Sequence, residues 1–373
     1  MSHSPFAELG LARVINASGK MTALGGSAQA PEVAEALARA AQHHVQLSAL
    51  RRRAGEILAG RTGAEAACVT TGAAAGIAMG VAAMITGTDR ALVERLPDTR
   101  GLANRIVLMA GHDVHFGARI SQMIRLGGGC PVPAGSPASV RREDVQRVLG
   151  SHTAGLLFVQ SHHTRQADGL TLAEFVAVAR DHDLPVLVDA AAEEDLERFV
   201  AEGADLVTYS GGKAFGGPTV GFIAGRRELI HACELQNVGI ARPMKVGKEQ
   251  IMGLLAALDR YPAEASWPDR LARLEAGLSG LPGMAVSIEA DLAHRPIRRL
   301  GLRAPPDALK ELVRGLVEGD PSIHTRNHHL QEGLLLFDLR EVSDGDVPVI
   351  IRRVRELLGA GPEPARSGHG HAG

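Results

Sequence analysis

The chain has 373 residues, with 40 basic and 42 acidic side chains and a net charge of −2. It therefore lacks the basic footprint that a nucleic-acid substrate such as tRNA calls for, and it is long enough for a large core split between a major and a minor domain. The three cysteines, Cys68, Cys130 and Cys233, are scattered without a CxxC, as in a reducing cytosol, and neither an apolar leader nor a membrane-length apolar run is present, so a soluble, cytoplasmic protein is expected.

Residues 1–30 show little periodicity and carry Asn16, Ser18 and several glycines. Pro31 to Leu58 reads as helix, with the proline in its first turn. Cys68-Val-Thr-Thr-Gly-Ala-Ala-Ala75 then passes from a short β-rich run through Thr71 and Gly72 into an alanine-rich helix starting near Ala73. Such a helix end presents free backbone N–H groups and two hydroxyls, and attracts phosphate. Small residues at this kind of turn also serve close packing, so the turn alone leaves both readings open. Arg105 to Met109 is a strand running into Ala110-Gly-His-Asp-Val-His-Phe-Gly117, and residues 127–137 form a Gly/Pro loop before a helix around 141–149.

The strand Gly155 to Val159 ends in Gln160-Ser-His-His-Thr-Arg-Gln166. Polar residues at the C-terminal end of a strand in an open α/β sheet face the ligand crevice, which makes Ser161, His162 and Gln166 candidate substrate or cofactor contacts. Neighbouring histidines on an extended chain point opposite ways and no third ligand is suitably spaced, so no metal is expected. After a helix from Leu172 to Asp181, the strand Pro185-Val-Leu-Val-Asp189 ends in an acid aimed at the same crevice. A helix is expected from Glu193 to Gly203. Asp205 to Ser210 and Val220 to Ala224 are short apolar strands joined by a glycine-rich turn that holds Lys213. An amine among small residues can approach a flat ligand closely, as a Schiff-base lysine must, although an ordinary solvated lysine would fit the turn equally well. Ser210, three residues before it, is a second candidate phosphate ligand. Arg242 is a candidate for a substrate carboxylate or phosphate.

From residue 263 the pattern becomes strand (284–288), strand (297–302), helix (306–318), short strand, strand (333–338) and helix (347–358), followed by a low-complexity tail at 361–373. The expected organisation is a segment at 1–30, a large domain at 31–262 with a mainly parallel sheet, and a small α+β domain at 263–360.

Phosphate cup, crevice acid and Gly-flanked lysine together match the needs of pyridoxal 5′-phosphate: a phosphate site, a carboxylate beside the ring nitrogen and an amine for the Schiff base. With Ile15-Asn-Ala-Ser-Gly19, Thr62-Gly-Ala-Glu-Ala-Ala-Cys-Val-Thr-Thr-Gly-Ala-Ala-Ala75, Ala204-Asp-Leu-Val-Thr-Tyr-Ser-Gly-Gly-Lys213, Gly216-Gly-Pro218 and Arg242-Pro-Met-Lys-Val-Gly-Lys248, the sequence resembles the selenocysteine synthase (L-seryl-tRNA selenium transferase) group from about residue 11 to 262. It is most similar to that group's D-glucosaminate-6-phosphate ammonia-lyase type.

The resemblance implies the aspartate-aminotransferase-like fold (fold type I) and a homodimer or larger homo-oligomer acting on a small amino acid. It implies Lys213 as the Schiff-base lysine, Asp189 at the ring nitrogen, and Thr71, Gly72, Ala73 and Ser210 around the phosphate. A residue after the strand that follows the cup helix should lie on the ring face; His115 is preferred there over His112. The 1–30 segment should lie over the active site, bringing Asn16 to the substrate. Because the family-like motif begins at Ile15, no N-terminal tRNA-binding region is expected. The implied reaction is α,β-elimination from a hydroxy amino acid such as D-glucosaminate or its 6-phosphate, giving a 2-keto-3-deoxy acid and ammonia, with His115 or His162 protonating the departing hydroxyl. A racemase, an aldolase, a transferase on aminoacyl-tRNA or a non-catalytic cofactor-binding protein are the alternatives.

Overall fold

Alternation of side chains along the strands is the physical origin of the larger part of the structure. The computed structural model describes residues 5–161, 164, 169–262, 267–291 and 297–360. The strands are β1 (Val14–Ala17), β2 (Ala66–Thr70), β3 (Arg105–Met109), β4 (Cys130–Ala134), β5 (Thr153–Val159), β6 (Val186–Asp189), β7 (Leu206–Ser210), β8 (Gly221–Gly225), β9 (Ala285–Ala290), β10 (Arg298–Arg303), β11 (Ser322–Thr325) and β12 (Leu334–Phe337). The chain divides into two units, Gly26–Pro262 and a second that joins the residues up to Gly25 to those from 267 onward.

In the first unit a seven-stranded sheet has the order β2-β8-β7-β6-β5-β3-β4, and only β8 runs against the others. Leu157, Leu187, Leu206 and Ile223 face one apolar cluster, whereas their neighbours Leu156, Val188, Val207 and Phe222 face another. A strand buried on both sides needs this, since successive side chains point to opposite faces. Helix α3 (Ala73–Thr86) covers one face, and the helices Leu172–Arg180 and Lys248–Asp259 cover the other.

Two expected helices differ from the reading of the sequence. Pro31 to Leu58 is two helices, α1 (Pro31–Ala41) and α2 (Leu47–Thr62). Residues 41–48 are all exposed, so continued helix would gain no packing. The Lys248 ammonium also donates to the Ala40 and Ala41 carbonyls at 2.8 and 3.1 Å, closing α1 where it stops. Between Glu193 and Gly203 only Arg198–Ala201 is helical. The Asp195 carboxylate accepts from the N–H groups of Glu197 and Arg198 at 3.1 and 3.0 Å, and that local bond starts the helix late.

Helix α3 lies against the sheet through a glycine. A Cβ on Gly76 would stand 2.0 Å from Thr208 Oγ1. Gly76→Ala is therefore expected to lower stability by roughly 1–3 kcal/mol, as overpacked core sites do, read as a shift of the urea midpoint at constant slope.

In the second unit β12-β10-β9 form an antiparallel sheet, and β1 pairs in parallel with β11, Asn16 opposite His324. Helices Trp267–Leu278, Pro306–Val317 and Val347–Leu357 bury Leu271, Leu274, Leu312, Leu316, Ile350 and Val354 against this unit's own core. Among the described residues no helix is long and apolar enough to cross a membrane.

Candidate active site

Because β2, β7, β6, β5 and β3 share one direction, their C-terminal ends emerge at one edge of the large sheet, where β8 begins. Register sets the order along that edge. Thr70 and Ser210 both lie opposite Gly221, Asp189 lies opposite Thr208, and Val159 opposite Asp189. The turn at Thr71–Ala73, Ser210, the Lys213 loop, Asp189, Ser161 and the 110–117 loop are thereby brought to one side of the sheet, as the sequence reading requires.

Lys213 sits in a turn closed by its glycines. Gly211 N–H donates to Val220 O and Gly217 N–H to Gly211 O, each at 2.8 Å. A Cβ on Gly211 would lie 2.7 Å from Val220 Cγ1 and 2.9 Å from Leu254 Cδ1, so no larger residue fits. Ser27 Oγ donates to Gly212 O at 3.1 Å and ties the loop to residues far upstream. The lysine is half-buried, and its Nζ lies 5.8 Å from the centre of the Phe116 ring.

Asp189 is buried, and among the described residues the one hydrogen bond to its carboxylate comes from Ala191 N–H at 3.1 Å. Burial pushes its pKa up to about 6, although the Lys213 charge and the Ala191 N–H pull the other way. A buried acid under-supplied with donors, within the field of the lysine, suits a cationic ring nitrogen.

The N-terminus of α3 carries no side-chain cap, so its first N–H groups are available to an anion. Thr70 Oγ1 donates to Gly72 O at 2.9 Å and sets the turn. Gly221 passes so close that a Cβ there would lie 2.8 Å from Gly72 Cα, which keeps the strand between the cup and Ser210 free of any side chain. Uncapped helix end, flanking hydroxyls, buried acid and loop lysine fit pyridoxal phosphate.

The two histidines of the 110–117 loop have different fates. His112 is buried, accepts from Val159 N–H through Nδ1 at 3.0 Å and meets Phe158 edge-on at 4.7 Å. Burial lowers its pKa to about 4, so it is a neutral tether between this loop and β5. His115 is exposed, and its Nδ1 accepts from Gly117 N–H at 3.3 Å. Ser161 stands just beyond β5, its carbonyl accepting from Thr164 N–H and Oγ. His162 and Gln166 lie outside the described residues.

Asn16 belongs to the other unit, where its amide closes a turn. Oδ1 accepts from Ser18 N–H and Oγ at 3.0 and 2.9 Å, and Nδ2 donates to Gly19 O at 2.9 Å. Arg242 is exposed in a short turn, and no described contact joins it to Lys213 or Asp189. Sequence reasoning passed over Ser27, Gly221 and Phe116. An aromatic between His115 and Gly117, in a chain with only 3% aromatics, was the available signal.

This sheet order and edge define a fold type I pyridoxal-phosphate-dependent architecture. Aspartate aminotransferase from Thermus thermophilus has the same fold, with a TM-score of 0.52 at 15% identity over 94% of this chain and 93% of that one. The family model for L-seryl-tRNA selenium transferase matches residues 14–276, and the chain belongs to that family. Within it, the chain is 43% identical to a D-glucosaminate-6-phosphate ammonia lyase of Salmonella typhimurium, covering 96% of this chain and 98% of the relative. A solved structure of D-glucosaminate-6-phosphate ammonia-lyase superposes with a TM-score of 0.92 at 43% identity, over 96% and 99% of the two chains. A 5′-C-glycyluridine monooxygenase-decarboxylase of a Streptomyces species is 42% identical over 95% of this chain and 92% of its own length.

For Asp189 the cost of burial is itself testable. A carboxyl whose folded pKa stands near 6 against 3.8 unfolded is destabilising when charged, so its burden is absent below pH 4 and complete above pH 6. Asp189→Asn is expected to stabilise the cofactor-free protein at pH 8 by up to about 3 kcal/mol, with the gain vanishing near pH 4, while turnover falls. Chemical unfolding at the two pH values measures it; an equal effect at both would refute the assignment.

Proposed function

We propose that the protein is a pyridoxal-phosphate-dependent ammonia-lyase. It acts by α,β-elimination on a small polyhydroxy amino acid such as D-glucosaminate or its 6-phosphate. The observation that carries this reading is the meeting of the Asp189 strand end, the Lys213 loop and the uncapped α3 end at one edge of the sheet, in a chain 43% identical to such a lyase over nearly the whole of both chains. Thr71, Gly72, Ala73 and Ser210 would hold the phosphate of the cofactor, Lys213 would anchor it through Nζ, and Asp189 would face its ring nitrogen. Bound there, the cofactor supplies an electron sink for the bond broken at the substrate α-carbon.

With the substrate amine in its place, Lys213 would be free to take the α-proton through Nζ. Asp189 would hold the proton on the ring nitrogen by staying close as its counter-charge. With one proton added the β-hydroxyl would leave as water; Lys213 Nζ would then retake its place and release the product as an enamine, which tautomerises to an imine that water hydrolyses to the 2-keto-3-deoxy acid and ammonia. His115, exposed in the 110–117 loop, is our candidate for protonating the departing hydroxyl. A cytoplasmic homodimer or larger homo-oligomer belongs to the same reading.

The second reading, favoured by the 42% identity to the monooxygenase-decarboxylase, is oxidative decarboxylation of a glycyl-type amino acid. One assay separates them. Purified protein with pyridoxal phosphate is given D-glucosaminate or its 6-phosphate with and without oxygen. Equal amounts of ammonia and keto acid, unaffected by removing oxygen, are expected. Carbon dioxide release that requires oxygen would establish the second reading, and inversion or aldol cleavage without ammonia would exclude both.

A further inference from the structure

The Lys213 loop is tied to its own backbone on either side of the lysine, but not at it. Gly211 O accepts from Gly217 N–H at 2.8 Å and Lys213 O from Gly216 N–H at 3.3 Å, so the loop itself holds the peptide planes 211–212 and 213–214. The plane between them joins Gly212 to Lys213. Among the described residues its carbonyl, Gly212 O, accepts one hydrogen bond, from Ser27 Oγ at 3.1 Å, a donor 185 residues away in the chain. The backbone is bent to bring that donor in. Gly25 and Gly26 stand at φ +86° and +82°, and a Cβ on Gly26 would lie 3.3 Å from Gly212 O, so only a bare backbone passes this close to the carbonyl. Ser27 is half-buried and is the first side chain of the Gly26–Pro262 unit, which also contains the lysine.

A glycine before the lysine makes this plane the weak joint of the loop. Opposite rotations about ψ of Gly212 and φ of Lys213 turn the peptide while leaving its neighbours in place, and without a Cβ at 212 the first rotation costs little. The second swings the lysine side chain, because φ sets where its Cβ points. A hydroxyl bonded to Gly212 O therefore governs the direction of Nζ through the backbone alone. We propose that Ser27 is a positioning residue for Lys213: its hydroxyl fixes the Gly212–Lys213 peptide, so that Nζ is aimed at the cofactor it anchors and at the proton it takes. Reaction at a held amine depends steeply on such orientation, whereas one half-buried hydroxyl bond adds little to the stability of a unit of this size.

The proposal rests on the reading of Lys213 as the cofactor lysine, and its test distinguishes the two. Cofactor-stripped parent, Ser27→Ala and Ser27→Thr are mixed with pyridoxal phosphate, and the rate at which the visible band forms is followed. Amide exchange across residues 211–217 and urea unfolding are measured on the same proteins without cofactor. Ser27→Ala is expected to form the band about fivefold more slowly and to exchange the Gly216 and Gly217 amides about fivefold faster, the effect of one net hydrogen bond. In the ammonia assay kcat falls by a similar factor while KM holds. Ser27→Thr keeps the hydroxyl and stays within about twofold of the parent in each. A Ser27→Ala protein with a lowered urea midpoint but parental band formation and loop exchange would make Ser27 a packing residue and overturn the proposal, with the lyase reading left standing. Equal losses in Ser27→Thr and Ser27→Ala would show that the hydroxyl is not the cause, and would overturn it too. A parent protein that takes up no cofactor would overturn both.

Discussion

Lys213→Ala is expected to reduce turnover by roughly 10⁴-fold or more, because in the proposed reaction one side chain provides both the covalent anchor and the proton-transfer base. The lysine has no substitute within reach: the loop around it is made of Gly211, Gly212, Ala214, Phe215, Gly216 and Gly217, none of which carries a titratable group. Two readouts accompany the kinetics. The parent becomes irreversibly labelled when borohydride reduces the cofactor bond, and the variant does not. Small primary amines added to the variant restore a fraction of the turnover, since they replace the proton acceptor without the anchor. Lys213→Arg is not rescued, as a guanidinium stays protonated. Full activity in Lys213→Ala would remove the basis of the proposed reaction.

Asp338→Ala is expected to destabilise the unit formed by residues 5–25 and 267–360 by about 3–5 kcal/mol, the usual cost of orphaning a buried ion-pair partner. Asp338 is fully buried and accepts from Arg299 Nε, Arg340 Nε and Arg340 Nη2, each at 2.9 Å. Arg299 is itself 4% exposed, shares its other edge with Asp291 at 2.9 Å, and has a buried Nη2 with no partner among the described residues. Removing the carboxylate would take away the acceptor of these three guanidinium bonds, one of them from an arginine that is itself buried. The same network holds the N-terminal segment, since Asp338 N–H donates to Ala17 O at 2.8 Å, and a Cβ on Gly19 would approach Asp338 Oδ2 to 3.0 Å.

The pH dependence of Asp338 follows with a definite sign. Burial pushes the Asp338 carboxyl up, but the Arg340 and Arg299 guanidiniums outweigh it and hold the pKa at about 2. A depressed carboxylate stabilises the fold above its unfolded value of 3.8, and that contribution, about 2 kcal/mol, is lost as pH falls through 2. Thermal melting of parent and variant between pH 7 and pH 2, with proteolysis to show which unit opens, measures both effects. A difference below about 1 kcal/mol at pH 7 would show that the network is not structural.

Much of the architecture was legible in the amino-acid order because it rests on local physics. Strands buried on both faces read as short, nearly continuous apolar runs, and Leu156 to Val159 is such a run. The small-unit pattern of strands and helices from 284 to 358 reappears with boundaries moved by only a few residues. Glycines on both sides of Lys213, and an acid ending the 186–189 strand, mark a crevice because strand direction alone brings their ends to one edge. Failures came where two local tendencies compete. Glu193 to Glu197 looks helical by composition, but Asp195 bonds its own following N–H groups first. Helical character at His43 to Gln46 met no core surface on which to fold.

The order of elements and the places of the lysine turn, the buried acid and the uncapped helix end follow from neighbours a few residues away. What distant residues do to one another was settled by the packed structure. It placed Val14–Ala17 beside Ser322–Thr325 and Ser27 against the lysine loop. It buried Asp189 deeply enough to raise its pKa, closed Asp338 between two arginines, and brought the Phe116 ring within 5.8 Å of Lys213 Nζ. Burial and through-space distance are collective properties of the packed chain, and side-chain electrostatics follow them rather than sequence separation.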